Sequence, residues 1–216
     1  MTIAEPDVTL TDYALTLECA VLAWLLHRER LGDRALRRSC VIFFAAIGLA
    51  SLMGGTVHGF AHDQSSLLHV VLWKTTLLAI GTAALAAWMM GSHLLSRESL
   101  ARRVRDTAVA LFAAYALAVA FVDSFLLAVA HYLPAALFLL LAFWLRYLKD
   151  HRPSLLWGVT GLLLTFVAAA VQQLGVGLHR VWFNHNALYH VIQAVALLFL
   201  FVASRGIIRE RETGLC

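Results

Sequence analysis

Seven long apolar runs separated by short, arginine-bearing connections dominate this sequence. Each run approaches the ~20 residues that a helix needs to cross the roughly 30 Å hydrocarbon core of a bilayer. Inside lipid, every backbone N–H and C=O of such a run must be satisfied within the run itself, which leaves the α-helix as the conformation available. The runs predict helices at about residues 10–26, 40–60, 66–91, 107–122, 126–146, 155–176 and 186–204. The expected fold is therefore all-α: one transmembrane seven-helix bundle over residues 1–216. A content of 61% hydrophobic and 14% charged residues leaves little material for a water-solvated domain. The fourth and fifth helices are separated by Val122, Asp123 and Ser124 alone, which must form a tight turn, and Pro134 is expected to kink the fifth.

Positive charge orients the bundle. Short cytoplasmic connections retain Lys and Arg, whereas translocated ones do not. Of the 17 Lys and Arg residues, all but Lys74 and Arg180 fall on one side, among them Arg34, Arg102, Arg152 and Arg211. An odd number of spans then puts the N-terminus outside and the C-terminus in the cytoplasm, as in a multi-pass protein of the bacterial inner (cytoplasmic) membrane. The net charge of +4 comes in small groups between apolar runs and forms no continuous basic face, so nucleic acid is not an expected partner. The segment before the first span, MTIAEPDVTLTDY, is acidic where a cleavable signal begins basic, so the first helix is expected to stay in the mature protein. Cys19, Cys40 and Cys216 lack the paired spacing of a disulfide framework or zinc finger and read as structurally neutral.

Placed by depth, the remaining polar side chains gather toward the outer side. His58, His62, His69, His131, His179, His185 and His190 lie in outer connections or outer helix ends, and Glu18, Lys74, Gln172, Gln173, Asn186 and Gln193 in the outer halves of spans. An ionisable group deep in a bilayer costs roughly 2.5–3.5 kcal/mol, so it normally faces the bundle interior. Glu18 and Lys74 each sit about 12 Å in from the outer end at 1.5 Å per residue, which suggests an ion pair between the first and third helices. In the seventh helix Asn186, His190 and Gln193 share one face. His58, His69 and His190 fall at one depth, enough imidazole for a three-ligand zinc site with an open position for water. Interfacial histidines that only bond to neighbouring helices are the plainer alternative.

These residues carry a resemblance to the alkaline ceramidase and adiponectin receptor membrane hydrolases, the CREST superfamily. Its seven-helix members have a serine four residues before a histidine in helix 2, an aspartate in helix 3, and two histidines four apart opening helix 7. Here Gly54 stands at the serine position, His58 matches the histidine, and His69 falls where the aspartate is expected. NALYH resembles the family's HALWH, with Asn186 replacing the first histidine and His190 retained. The resemblance implies a zinc-dependent hydrolase of a lipid amide or ester at the periplasmic side. Its expected zinc ligands are His58, His69 and His190; its polar catalytic groups come from Asn186, Glu18 and Asp63, with Asp12 another candidate acid; its substrate contacts are Lys74, Gln193 and Tyr189. Membrane lipids, a lipid substrate and other membrane subunits are the expected partners. Two other classes remain open: a non-enzymatic binding or accessory subunit, and a redox or pigment module in which the histidines hold haem.

Overall fold

The computed structural model describes residues 3–30, 32–179 and 182–210; Arg180, Arg211 and Cys216 lie outside the described residues. Seven helices make up the chain: α1 (Pro6–Arg28), α2 (Arg34–Phe60), α3 (Leu67–Leu94), α4 (Glu98–Phe121), α5 (Phe125–Asp150), α6 (Pro153–Gln173) and α7 (His185–Glu210). All seven are long and apolar enough to cross a membrane, and the protein is a multi-pass membrane protein.

Most helices run further than their apolar runs suggest, above all α4, which opens at Glu98 and takes Arg102, Arg103 and Arg105 into its first turns. The apolar run marks the part of a helix in hydrocarbon, whereas the helix continues wherever long Arg stems can carry their charge back to water. Local signals set the starts. Pro6 and Pro153 occupy first-turn positions, where the missing N–H costs nothing. The Asp33 carboxylate accepts from the amides of Ala35 and Leu36 to cap α2, and the Ser66 hydroxyl accepts from His69 N–H to cap α3. Pro134 lies within α5, and the helix continues through it.

Six helices pack in a closed ring in the order α1, α2, α3, α5, α6, α7 and back to α1, while α4 lies outside the ring against α3 and α5. The ring closes tightly at α1 and α2 because three glycines of α2, Gly48, Gly55 and Gly59, face α1. A Cβ on Gly55 would come within 2.7 Å of Asp12 Cβ, and one on Gly48 within 3.0 Å of Cys19 Cβ. Small residues allow this approach, and close approach is what gives helices in lipid their packing contacts.

The two ends of the ring differ. At the arginine-rich end an apolar core of Phe43, Phe44, Met90, Leu139, Phe143 and Leu200 fills the interior. Glu29 ties the end of α1 to α7 there, its carboxylate 3.1 Å from Arg205 Nε and 2.8 Å from a terminal nitrogen of Arg209. Burial pushes the Glu29 carboxyl up, but the hydrogen bonds and charges of Arg209 and Arg205 outweigh it and hold the group below the usual glutamate range. At the arginine-poor end the interior is hollow.

Candidate functional site: a polar cavity inside the helix ring

A cavity of about 370 Å³ occupies the arginine-poor half, lined by residues from all six ring helices and none from α4. It runs from His58, near the end of α2, down to Ile47 on the same helix, roughly 16 Å at 1.5 Å per residue. Trp73, Phe125, Tyr132, Phe166 and Tyr189 provide much of its wall, and Asp12, Ser51, Gln172, Asn186, His190 and Gln193 supply polar atoms.

Its centre is a carboxylate facing an imidazole. Asp12 is 4% exposed and His190 9%, and Asp12 Oδ1 lies 3.3 Å from His190 Nε2. The approach of Asp12 to α2 at Gly55 sets the position of α1, and Ser51 of α2 lines the same cavity. On α7, the Asn184 side chain accepts from the amides of Asn186 and Ala187 and so caps the helix, while Asn184 N–H donates to Asp7 at 3.0 Å. That bond joins the starts of α1 and α7 and turns the face of His190 toward α1.

His190 is held at both ring nitrogens: Nδ1 lies 3.0 Å from the Thr11 hydroxyl, which also reaches the carbonyls of Asp7 and Val8 one turn back, and Nε2 faces Asp12. One proton between Nε2 and Oδ1 makes that pair a hydrogen bond, whichever of the two carries it. One turn along α7, Gln193 Nε2 lies 3.4 Å from the Thr165 hydroxyl, which donates to Gly161 O, and Gln193 Oε1 is buried without a hydrogen-bond partner.

The residues singled out by sequence separate into two groups. His58, Tyr189, Asn186, His190 and Gln193 line the cavity. Asn186 Oδ1 accepts from Gln172, and His58 Nδ1 lies 3.3 Å from Glu5 at the rim. His69 does not line it: its Nδ1 bonds to Ala61 O at 2.6 Å, and its ring stacks on Trp73. Asp63 stays in the α2–α3 connection, where it accepts from Ser65 N–H and Oγ and is held below the usual aspartate range by those bonds.

The expected Glu18–Lys74 ion pair is corrected. Lys74 Nζ turns to α4, donating to Val119 O and Ala120 O and pairing with Asp123 at 2.9 Å. The free carbonyls at the end of a helix are an attractive site for a cation, and depth along the chain had carried no information on which way the helix was rotated. Glu18 Oε1 is buried without a hydrogen-bond partner, away from the cavity lining.

The residues do not fit a three-histidine zinc centre in this arrangement. Only His58 and His190 of the three line the cavity, and among the described residues no three His, Cys, Asp or Glu side chains are grouped to hold one metal ion. Sequence reasoning also passed over Thr11, Ser51 and Tyr132. Ser51 had a usable signal, since it lies seven residues before His58, two helical turns along one face.

A profile match covers residues 8–209, from the first turn of α1 to the end of α7. The chain belongs to the family of unknown function DUF6962. Because the match takes in all six helices that line the cavity, the family is defined over the whole ring and not over one motif. Comparison with curated proteins gives no match.

Proposed function

We propose that this protein is a membrane-embedded binding protein that holds a small amphiphilic molecule in the ring cavity, its polar end on Asp12, His190 and Gln193. The observation that carries this reading is the shape and chemistry of one space: a mostly apolar cavity of about 370 Å³ with a few convergent, buried polar groups, the usual makeup of a small-molecule site. The charge distribution supports an N-terminus outside and a C-terminus in the cytoplasm of a bacterial inner membrane, and in that orientation the cavity faces the periplasmic side.

A second reading, hydrolysis of a lipid amide or ester as in the CREST group, is favoured by the Asp12–His190 spacing of 3.3 Å beside Ser51. Such a pair could take a proton from an attacking water and return it to the leaving group.

The test is to purify the parent and Asp12→Ala proteins in nanodiscs, extract bound small molecules for mass spectrometry, and record zinc content, visible absorption and lipid-amide turnover on the same samples. The binding reading expects an amphiphile enriched on the parent and lost from the variant, without turnover. Turnover that Asp12→Ala abolishes would move the hydrolase reading to first place. Stoichiometric zinc lost in His58→Ala and His190→Ala, or a Soret band, would replace the binding reading with metal or haem chemistry.

A further inference from the structure

The polar floor of the cavity carries one carboxyl, that of Asp12, which faces His190 Nε2 at 3.3 Å. Among the described residues that line the cavity there is no Lys or Arg, and the carboxyl of Asp12 is the acidic group. The nearest lysine along α3, Lys74, is held on the far side of its helix by Val119, Ala120 and Asp123.

From this we infer that the ligand of the cavity is an organic ammonium, an amine with an apolar body whose positive head pairs with the Asp12 carboxyl. The inference rests on the binding reading above and names its ligand class. A primary ammonium brings N–H donors and one positive charge to a carboxyl buried in a mostly apolar space, where a charge-assisted hydrogen bond is stronger than a neutral one. Tyr132 and Tyr189 line the same space, and aromatic rings attract a cation. A carboxylate or phosphate head would instead bring negative charge to Asp12, with no Lys or Arg on the cavity wall to receive it. A neutral alcohol can hydrogen-bond to the carboxyl but brings no charge.

The experiment compares octylamine, octanol and octanoate, which share a chain and differ at the head, by titration into protein-loaded nanodiscs against empty ones. We expect protein-dependent binding of octylamine at least tenfold tighter than octanol, and none for octanoate. In Asp12→Asn, which keeps the side-chain shape, the amine should fall to the affinity of the alcohol. Thermal melts check the fold, and the comparison of octylamine with octanol on the parent serves alone if Asp12→Asn does not assemble. Equal binding of octylamine and octanol would overturn the ammonium inference while leaving the cavity a binding site. Preferred binding of octanoate would overturn it as well. Protein-dependent binding of none of the three would overturn both the inference and the binding reading.

Discussion

The two ends of the helix ring use charge in opposite ways. At the arginine-rich end, Glu29, Arg205 and Arg209 form ion pairs at the rim, the two arginines being 49% and 46% exposed, over a core of Phe and Leu that needs no polar group to hold it. At the arginine-poor end, the polar groups go inward: Asp12, Ser51, His190 and Gln193 are buried around a space that side chains leave unfilled. Exposed pairs are worth little and fasten an end loosely. Buried polar groups are expensive in a membrane, and those that persist mark a site. The difference separates a half that is packed solid from a half built around a cavity.

The largest expected effect is at the buried end. Asp12→Ala should reduce retention of the cavity ligand at least tenfold and cost roughly 1–3 kcal/mol of stability, because the imidazole opposite keeps its position and loses its partner. Ligand retention and thermal melts of the same samples measure both. Next is the wall that sets Asp12 in place. Gly55→Leu puts carbon where Asp12 Cβ already lies within 2.7 Å of the added Cβ, and should cost about 1–3 kcal/mol through the α1–α2 contact. A melt unchanged from the parent would show that α1 does not pack on α2 as described.

Lys74→Met separates the two roles once assigned to this lysine. It should loosen the end of α4 by about 1 kcal/mol, the worth of a partly exposed charged hydrogen bond, and leave ligand binding unchanged; loss of binding would place Lys74 in the site after all. The smallest effect is at the exposed end. The Glu29 carboxyl is held below the ordinary glutamate value of about 4.3. Its contribution is therefore present above that value and lost as pH falls through the lower folded-state pKa. Glu29→Gln should remove this acid-side part of the pH–stability curve, a difference under about 1 kcal/mol.

Much of this contrast is legible in the sequence, and the part that is not has a physical cause. The apolar runs announce seven spans because lipid admits no other arrangement for them, and the Val122–Ser124 turn separates α4 from α5 as the runs require. The polar stripe of Asn186, His190 and Gln193 on α7 is readable from its spacing, and all three line the cavity. Depth along a helix is written in the sequence; rotation about its axis is decided by packing. That is why Lys74 looked like a partner for Glu18 and instead receives the end of α4, and why His69 looked level with His190 and instead binds Ala61 O. Asp12 was one of three acids that spacing could not rank, and its expected place was near the start of a helix opening at about residue 10. The actual start at Pro6 moves it a further turn into the bundle, and Gly55 is what admits it.

The central claim is that a cavity reachable by small solutes lies beside Asp12 inside the ring. It is tested most directly by placing a thiol at its wall. In a Cys216→Ser background, the Ser51→Cys variant should react with aminoethyl methanethiosulfonate in nanodiscs and be protected by a bound ligand. The native thiols of Cys19 and Cys40, buried outside the cavity, should stay unreacted. An introduced thiol as inert as Cys19 and Cys40 would contradict the cavity and every function drawn from it.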